Sequence, residues 1–195
     1  MPAKPIAVMP DAGDRMPCRV TASPHPTLLS LTQLLDRCDL RTQRRSGPGG
    51  QHRNKTSSGA FLTDRETGLV GEATERRSQA QNRDVALQRL RYLLAIEIRT
   101  PSPLVEDGGA VDSLESEFRQ RYTGHPFRLN ESNPDKAALL ALLLNDLWVA
   151  GGQPSLVAPA WSVSTSKLTN LLRSHPPALG RVNQFRVHHD RLPLH

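Results

Sequence analysis

The residues best able to do chemistry in this chain lie in one run: Arg44-Arg45-Ser46-Gly47-Pro48-Gly49-Gly50-Gln51-His52-Arg53-Asn54-Lys55-Thr56. Gly47, Gly49 and Gly50 permit backbone angles closed to other residues and let the chain approach a ligand closely. Such a loop can turn backbone N–H groups toward an oxyanion or a phosphate. Gln51, polar and uncharged, follows the glycine pair. Arg41, just before the run, and the cations Arg44, Arg45, Arg53 and Lys55 within it can engage phosphates, which fix position without reading sequence. His52 has a side chain that titrates near neutrality, which makes it a candidate general base.

A Gly-Gly-Gln triplet is by itself more often a surface turn than a site. The same chain holds a second copy, Gly151-Gly152-Gln153, directly after an apolar run with no basic surround. A helix stop explains that copy. A phosphate-binding P-loop also competes, because Asn54-Lys55-Thr56 ends like one. That motif needs Gly immediately before the Lys, and Asn54 stands there instead.

The elements that must position the loop can be read from spacing. Residues 1–25 are rich in proline and lack apolar periodicity, so a mobile tail is expected. Leu28, Leu31, Leu34 and Leu35 then recur at helical spacing, with Cys38 near the helix end. Asp39 to Ser46 reads as extended. Two strands, 59–63 and 69–74, flank a hairpin link at Asp64-Arg65-Glu66-Thr67-Gly68. From about Asn82, the residues Val85, Leu87, Leu90, Leu93, Leu94 and Ile96 predict a helix ended by Pro101 and Pro103. Residues 101–112 read as a linker. Beyond it, helices are expected over 135–150, 155–160, 165–173, with Ser164 as cap, and 177–189. The fold class is therefore α+β: a small mixed or antiparallel sheet with helices over 26–100, then an all-helical unit over 113–195. The last helices carry a helix-turn-helix-like pattern.

Composition narrows the partners. The chain has 195 residues and a net charge of +6. From Arg41 to Lys55 no acid interrupts the bases, whereas Glu106, Asp107, Asp112, Glu115, Glu117, Glu131, Asp135 and Asp146 outnumber Arg119, Arg121, Arg128 and Lys136. A polyanion-facing surface should lie in the first half. Cys18 and Cys38 suggest reduced cytosolic thiols rather than a disulfide framework, and no metal or cofactor set is evident. No secretory signal is apparent and no apolar run reaches the roughly 20 residues of a membrane span, so a cytoplasmic, membrane-free protein is expected.

Several blocks together carry a resemblance. Arg45-Ser46-Gly47-Pro48-Gly49-Gly50-Gln51, Asn54-Lys55, Thr67-Gly68, Glu75-Arg76-Arg77-Ser78-Gln79, Asn82, Ala86 and Leu90 occur in the order found in class I peptide chain release factors and their small ribosome-rescue relatives. The stretch from Arg45 to about Leu94 resembles their Gly-Gly-Gln catalytic domain. The resemblance implies a loop that enters the peptidyl-transferase centre of the large ribosomal subunit, where water attacks the peptidyl-tRNA ester. On that reading the Gln51 backbone N–H stabilises the oxyanion, a contribution worth several kcal/mol in a dry site. The Gln51 side-chain amide places the water, and Gly49 and Gly50 supply the conformation. His52 is then an RNA contact or simply exposed, since the family does not rely on a histidine there.

Arg44, Arg45, Ser46, His52, Arg53, Asn54 and Lys55 are expected to touch RNA. For Arg76, Arg77, Ser78, Gln79 and Asn82, RNA contact and structural support stand as equal alternatives. Expected partners are the large subunit, peptidyl-tRNA and a methyltransferase modifying Gln51. The residues around the resembling stretch offer no place for stop-codon-reading domains, so codon-independent ribosome rescue is the better reading. The end of the chain lacks the basic tail common in small rescue factors, having only Arg191 as a fixed cation after Val187. Two alternatives stay open: a non-catalytic rRNA- or tRNA-binding protein, and a helix-turn-helix DNA-binding regulator reading through Lys167, Asn170 and Arg173.

Overall fold

Ser30 opens the first helix, α1 (Leu31–Asp36), with a reciprocal capping box: its Oγ accepts from Gln33 N–H at 3.2 Å and the Gln33 amide oxygen accepts from Ser30 N–H at 3.0 Å. In this computed structural model, which describes residues 9–43, 58–105, 111–125, 127, 129–130 and 133–195, the chain divides into two compact units. One comprises residues 29–94. The other joins 95–195 to the residues before 29.

The 29–94 unit is built on a three-stranded antiparallel sheet in the order β2-β3-β4, with β2 at Cys38–Gln43, β3 at Gly59–Asp64 and β4 at Val70–Ala73. Residues Ala60, Leu62 and Ala73 are buried on one face, as alternation requires. Helix α2 (Gln79–Glu97) covers that face with Ala86, Leu87, Leu90 and Leu94, and Leu34 from α1 is also fully buried. Gly71 sets how near the helix can come. A Cβ there would lie 2.2 Å from the Ala86 carbonyl oxygen and 2.6 Å from Leu90 Cβ.

Asp64, fully buried at the hairpin end, organises the turn. Its carboxylate accepts from Arg37 Nε at 2.5 Å and Nη2 at 3.0 Å, and from Thr67 Oγ1 at 2.5 Å and N–H at 3.1 Å. Burial pushes this carboxyl up, but the hydrogen bonds from Arg37 and Thr67 more than offset that and hold it below the usual range. The same buried charge, after burial itself, pushes the neighbouring Cys38 thiol up to about 11. Cys38 starts a strand rather than ending a helix.

In the second unit, a two-stranded parallel sheet pairs β1 (Arg19–Val20) with β5 (Ile98–Arg99). Helices α3 (Ser113–Tyr122), α4 (Lys136–Val149), α5 (Pro154–Val157), α6 (Thr165–Arg173) and α7 (Pro176–His188) make up the rest, with a 3-10 turn at Ala158–Trp161. Helix α4 is apolar on every side and almost wholly buried, the pattern of a central helix. It packs against α5, α7 and β5. Its one acid, Asp146, is fully buried and satisfied by Ser102 Oγ at 2.7 Å, Trp161 Nε1 at 2.7 Å and a two-pronged contact from Arg119 at 2.7 and 2.9 Å. No described helix is long and apolar enough to cross a membrane.

The α+β class agrees with the sequence, but the domain boundaries differ from those expected. Residues 9–28 are packed into the 95–195 unit and do not form a separate tail. The Met16 carbonyl accepts from Trp148 Nε1 at 2.7 Å, and the Arg15 guanidinium lies 5.9 Å from the Trp148 ring centre. Thr21 N–H donates to the Arg99 carbonyl at 2.9 Å, while His25, fully buried, donates its N–H to Glu115 at 2.7 Å. Prolines hide this order from a periodicity search because they favour extended chain whose partners are distant in sequence. The expected linker likewise begins inside the unit, with Thr100 and Ser102 buried, and its 106–110 portion lies outside the described residues.

Gly71→Ala should drive the new methyl into helix backbone and cost about 3 kcal/mol, lowering the melting temperature by roughly 6–12 °C in a thermal unfolding scan. Asp64→Asn tests the buried carboxylate. Because the folded pKa is depressed, its contribution is complete above the unfolded value of about 3.9 and disappears as pH falls through the lower folded value. Denaturation curves should show a deficit on the order of 2 kcal/mol at pH 7 for the variant, shrinking as pH falls below the unfolded value.

Candidate active site

Segment 44–57, which contains Arg44, Arg45, Ser46, Gly49, Gly50, Gln51, His52, Arg53, Asn54 and Lys55, lies outside the described residues. Its frame is described. Among the described residues, strands β2 and β3 pair in register up to Gln43↔Gly59, which sets the two described ends flanking the segment side by side. Strand β4 ends beside them, since Ala73 pairs with Ala60. The sheet topology thereby delivers Glu75-Arg76-Arg77-Ser78, and then the first turn of α2, to the same end.

Asn82 ties this end together. It is fully buried, and its amide makes three contacts: the nitrogen donates to the Ser58 carbonyl at 2.5 Å and the Arg76 carbonyl at 2.9 Å, and the oxygen accepts from Arg76 N–H at 2.9 Å. A side-chain amide offers a paired donor and acceptor side by side, so it can close on a peptide group as a second backbone strand would. Of the two alternatives left open for Asn82, this arrangement is the structural one. Ser78 Oγ accepts from Gln81 N–H at 3.4 Å, at the start of α2. Arg76, Arg77, Ser78 and Gln79 are exposed.

Glu75 is not a spare base. Arg89 grips it at 2.7 and 3.3 Å and also donates to the Glu72 carbonyl at 2.7 Å. Hydrogen bonds from backbone N–H groups, its own first and then that of Thr74, outweigh its slight burial and hold the Glu75 carboxyl below its usual range, with Arg89 adding to the effect. The groups framing the loop are thus an amide, a hydroxyl and guanidinium ions. Guanidinium and amide N–H groups donate hydrogen bonds, so these described groups can position and polarise what they touch.

The second triplet shows the contrast. Gly151 and Gly152 adopt φ of +58° and +69°, with Gly152 N–H reaching back to the Leu147 carbonyl at 2.7 Å and Gly151 N–H to that of Trp148 at 3.1 Å. This is a left-handed helix stop, and both glycines are buried. A Cβ at Gly152 would stand 2.5 Å from Arg186 Cγ. In α6, Lys167, Asn170 and Arg173 share exposed positions, but Arg173 is engaged by Asn170 at 3.1 Å and by the His195 carbonyl at 2.5 Å.

Comparison with known proteins matches residues 34–118 to the RF-1 domain family. Residues 34–118 are release factor-like. Peptide chain release factor 2 of Acidovorax sp. (strain JS42) is 56% identical over 58 residues, covering 29% of this chain and 16% of that protein. The mitochondrial peptide chain release factor 1-like protein of Rattus norvegicus is 38% identical over 86 residues, 42% of this chain and 22% of that one. Peptide chain release factor 1 of Lactiplantibacillus plantarum is 49% identical over 59 residues, 29% and 16% respectively. The chain thus spans only about a fifth of these relatives' length. No solved structure matches it. The release factor-like match runs past the 29–94 unit through β5 and most of α3.

Asn82→Ala should remove all three staple bonds, which are part-buried, and leave the Ser58 carbonyl and the Arg76 backbone groups without these partners, at a cost of about 1–2 kcal/mol. Hydrogen exchange should show the Arg76 amide losing protection well ahead of the β3–β4 pairs.

Proposed function

We propose that this protein hydrolyses the ester of peptidyl-tRNA on the large ribosomal subunit, with Gln51 at the reacting centre. The observation that carries the reading is the junction of sequence and frame. A Gly-Gly-Gln segment springs from adjacent paired residues Gln43 and Gly59, and Asn82 locks its returning end to Arg76. The release factor-like match covers the same residues.

Water adding to an ester carbonyl creates an oxyanion, and a preorganised N–H in a water-poor site stabilises it by several kcal/mol. In the proposed mechanism the Gln51 N–H does this, its side-chain amide orients the water, and Gly49 and Gly50 give the backbone its shape. Arg44, Arg45, Arg53 and Lys55 hold RNA phosphates, with Ser46, His52 and Asn54 alongside, and exposed Arg76, Arg77, Ser78 and Gln79 extend that surface. The large subunit, peptidyl-tRNA and a methyltransferase acting on Gln51 are the partners in this scheme, set in the cytoplasm.

Codon-independent release, as in ribosome rescue, is part of the same proposal. In the relatives cited, similarity is confined to 58–86 residues, and most of the remainder of this chain forms a helical unit of its own.

Gln51→Ala should reduce release of labelled peptide by at least 100-fold, the scale of a lost oxyanion donor, while cosedimentation with ribosomes stays within about twofold. Running the assay on stop-codon, stalled and split ribosomes identifies the substrate. Undiminished hydrolysis by the variant would remove Gln51 from the mechanism, and release confined to stop-codon complexes would remove codon independence.

A further inference from the structure

On the face of the β2-β3-β4 sheet opposite Ala60, Leu62 and Ala73, Arg41, Phe61 and Glu72 form a single row by strand register, with Arg41 and Glu72 exposed. Arg41 is exposed and its guanidinium carbon lies 5.0 Å from the Phe61 ring centre. It stands two residues before the Gln43↔Gly59 pair, about 7 Å along the strand from the point where the loop departs.

We propose that Arg41, held on Phe61, is a positioning residue that takes a phosphodiester of an RNA strand and so seats the adjoining loop; this rests on the function proposed above. The charge distribution of residues 29–94 selects the occupant. They contain twelve Lys and Arg against seven Asp and Glu. Five of the acids, Asp39, Asp64, Glu66, Glu75 and Asp84, already lie in ion pairs with Arg65, Arg37, Arg89 and Arg83. Among the described residues, Arg41, Arg76 and Arg77 have no carboxylate partner. The uncompensated charge at this end is therefore positive, and a polyanion complements it.

Stacking against Phe61 also preorganises the side chain. A planar guanidinium restrained on a ring gives up less rotamer freedom when its N–H fork meets a phosphate. Its solvent-side face remains open to an unstacked base, the way single-stranded RNA is commonly held. Glu72, exposed at the other end of the row, would repel the strand and confines the contact to the β2 side.

The competing explanation is an ordinary surface arginine resting on the nearest ring, worth on the order of 0.5–1 kcal/mol of stability. Salt dependence separates the two. Binding of the full-length chain to isolated large ribosomal subunits, and in parallel to a fluorescent single-stranded RNA oligonucleotide, is measured across a KCl series. Arg41→Ala should weaken binding about five- to tenfold and reduce the log–log salt slope by about 0.7–0.9, one phosphate contact's worth. Arg41→Lys should restore the slope, and Phe61→Leu should keep the slope while losing affinity. In Arg41→Ala the protein concentration that gives half-maximal peptide release should rise about five- to tenfold, in step with the binding loss.

Wild-type affinity and slope in Arg41→Ala on both probes would overturn the assignment, and so would a change in melting temperature alone. If wild-type protein ignores large subunits yet binds the oligonucleotide through Arg41, the functional reading falls and this contact survives. Failure of the wild type to bind either probe overturns both.

Discussion

A single buried amide, that of Asn82, holds the geometry on which the candidate site depends. Two strand ends and a helix start must stay together for segment 44–57 to leave and return at one place. Among the described residues the strand ladder runs to Gln43↔Gly59, and the link after β4 has no ladder partner. Asn82 supplies the missing pairing from the helix side, bonding Ser58 on one flank and Arg76 on the other. The three bonds are part-buried, so losing them would cost more than losing bonds in open water. The close approach at Gly71, which lets α2 lie on β4, is what brings that amide within reach.

Sequence patterns reached much of this unit because its signals are local. Alternation across 59–63 and 69–74, the Gly-containing hairpin link and the leucine spacing of α2 all act within about ten residues, where period and turn chemistry are decisive. Helix α6 and its Ser164 cap, whose Oγ accepts from Lys167 N–H at 3.2 Å, were legible for the same reason. Two-residue strands such as β1 and β5 carry no period at all. They exist because Arg19 and Val20 meet Ile98 and Arg99, nearly eighty positions away, a pairing invisible to any window.

The site shows the same division. The Gly-Gly-Gln segment was marked by composition and by neighbouring blocks, and the structure distinguishes it from the second triplet by showing that Gly151 and Gly152 are consumed in ending α4. Arg76 and Asn82 could be named but not sorted, because whether a polar side chain faces water or a backbone carbonyl is settled by tertiary packing. Exposure leaves Arg76 and Arg77 available and removes Asn82. The pairing of Arg41 with Phe61 was unreadable, since nothing in a linear sequence says which face of a strand will go uncovered.

The β1–β5 ladder has a consequence for how this chain comes off the machinery that makes it. Residues 29–94 emerge as an uninterrupted stretch that holds both partners of every pair in its sheet, and they can fold as soon as α2 is out. The segment before them must wait, because its partners, from Ile98 to Trp148 and Glu115, are synthesised later. The unit with its sequence split in two therefore closes last, after residues 29–94 have been made, and its assembly carries the slower, long-separation kinetics of non-local pairing.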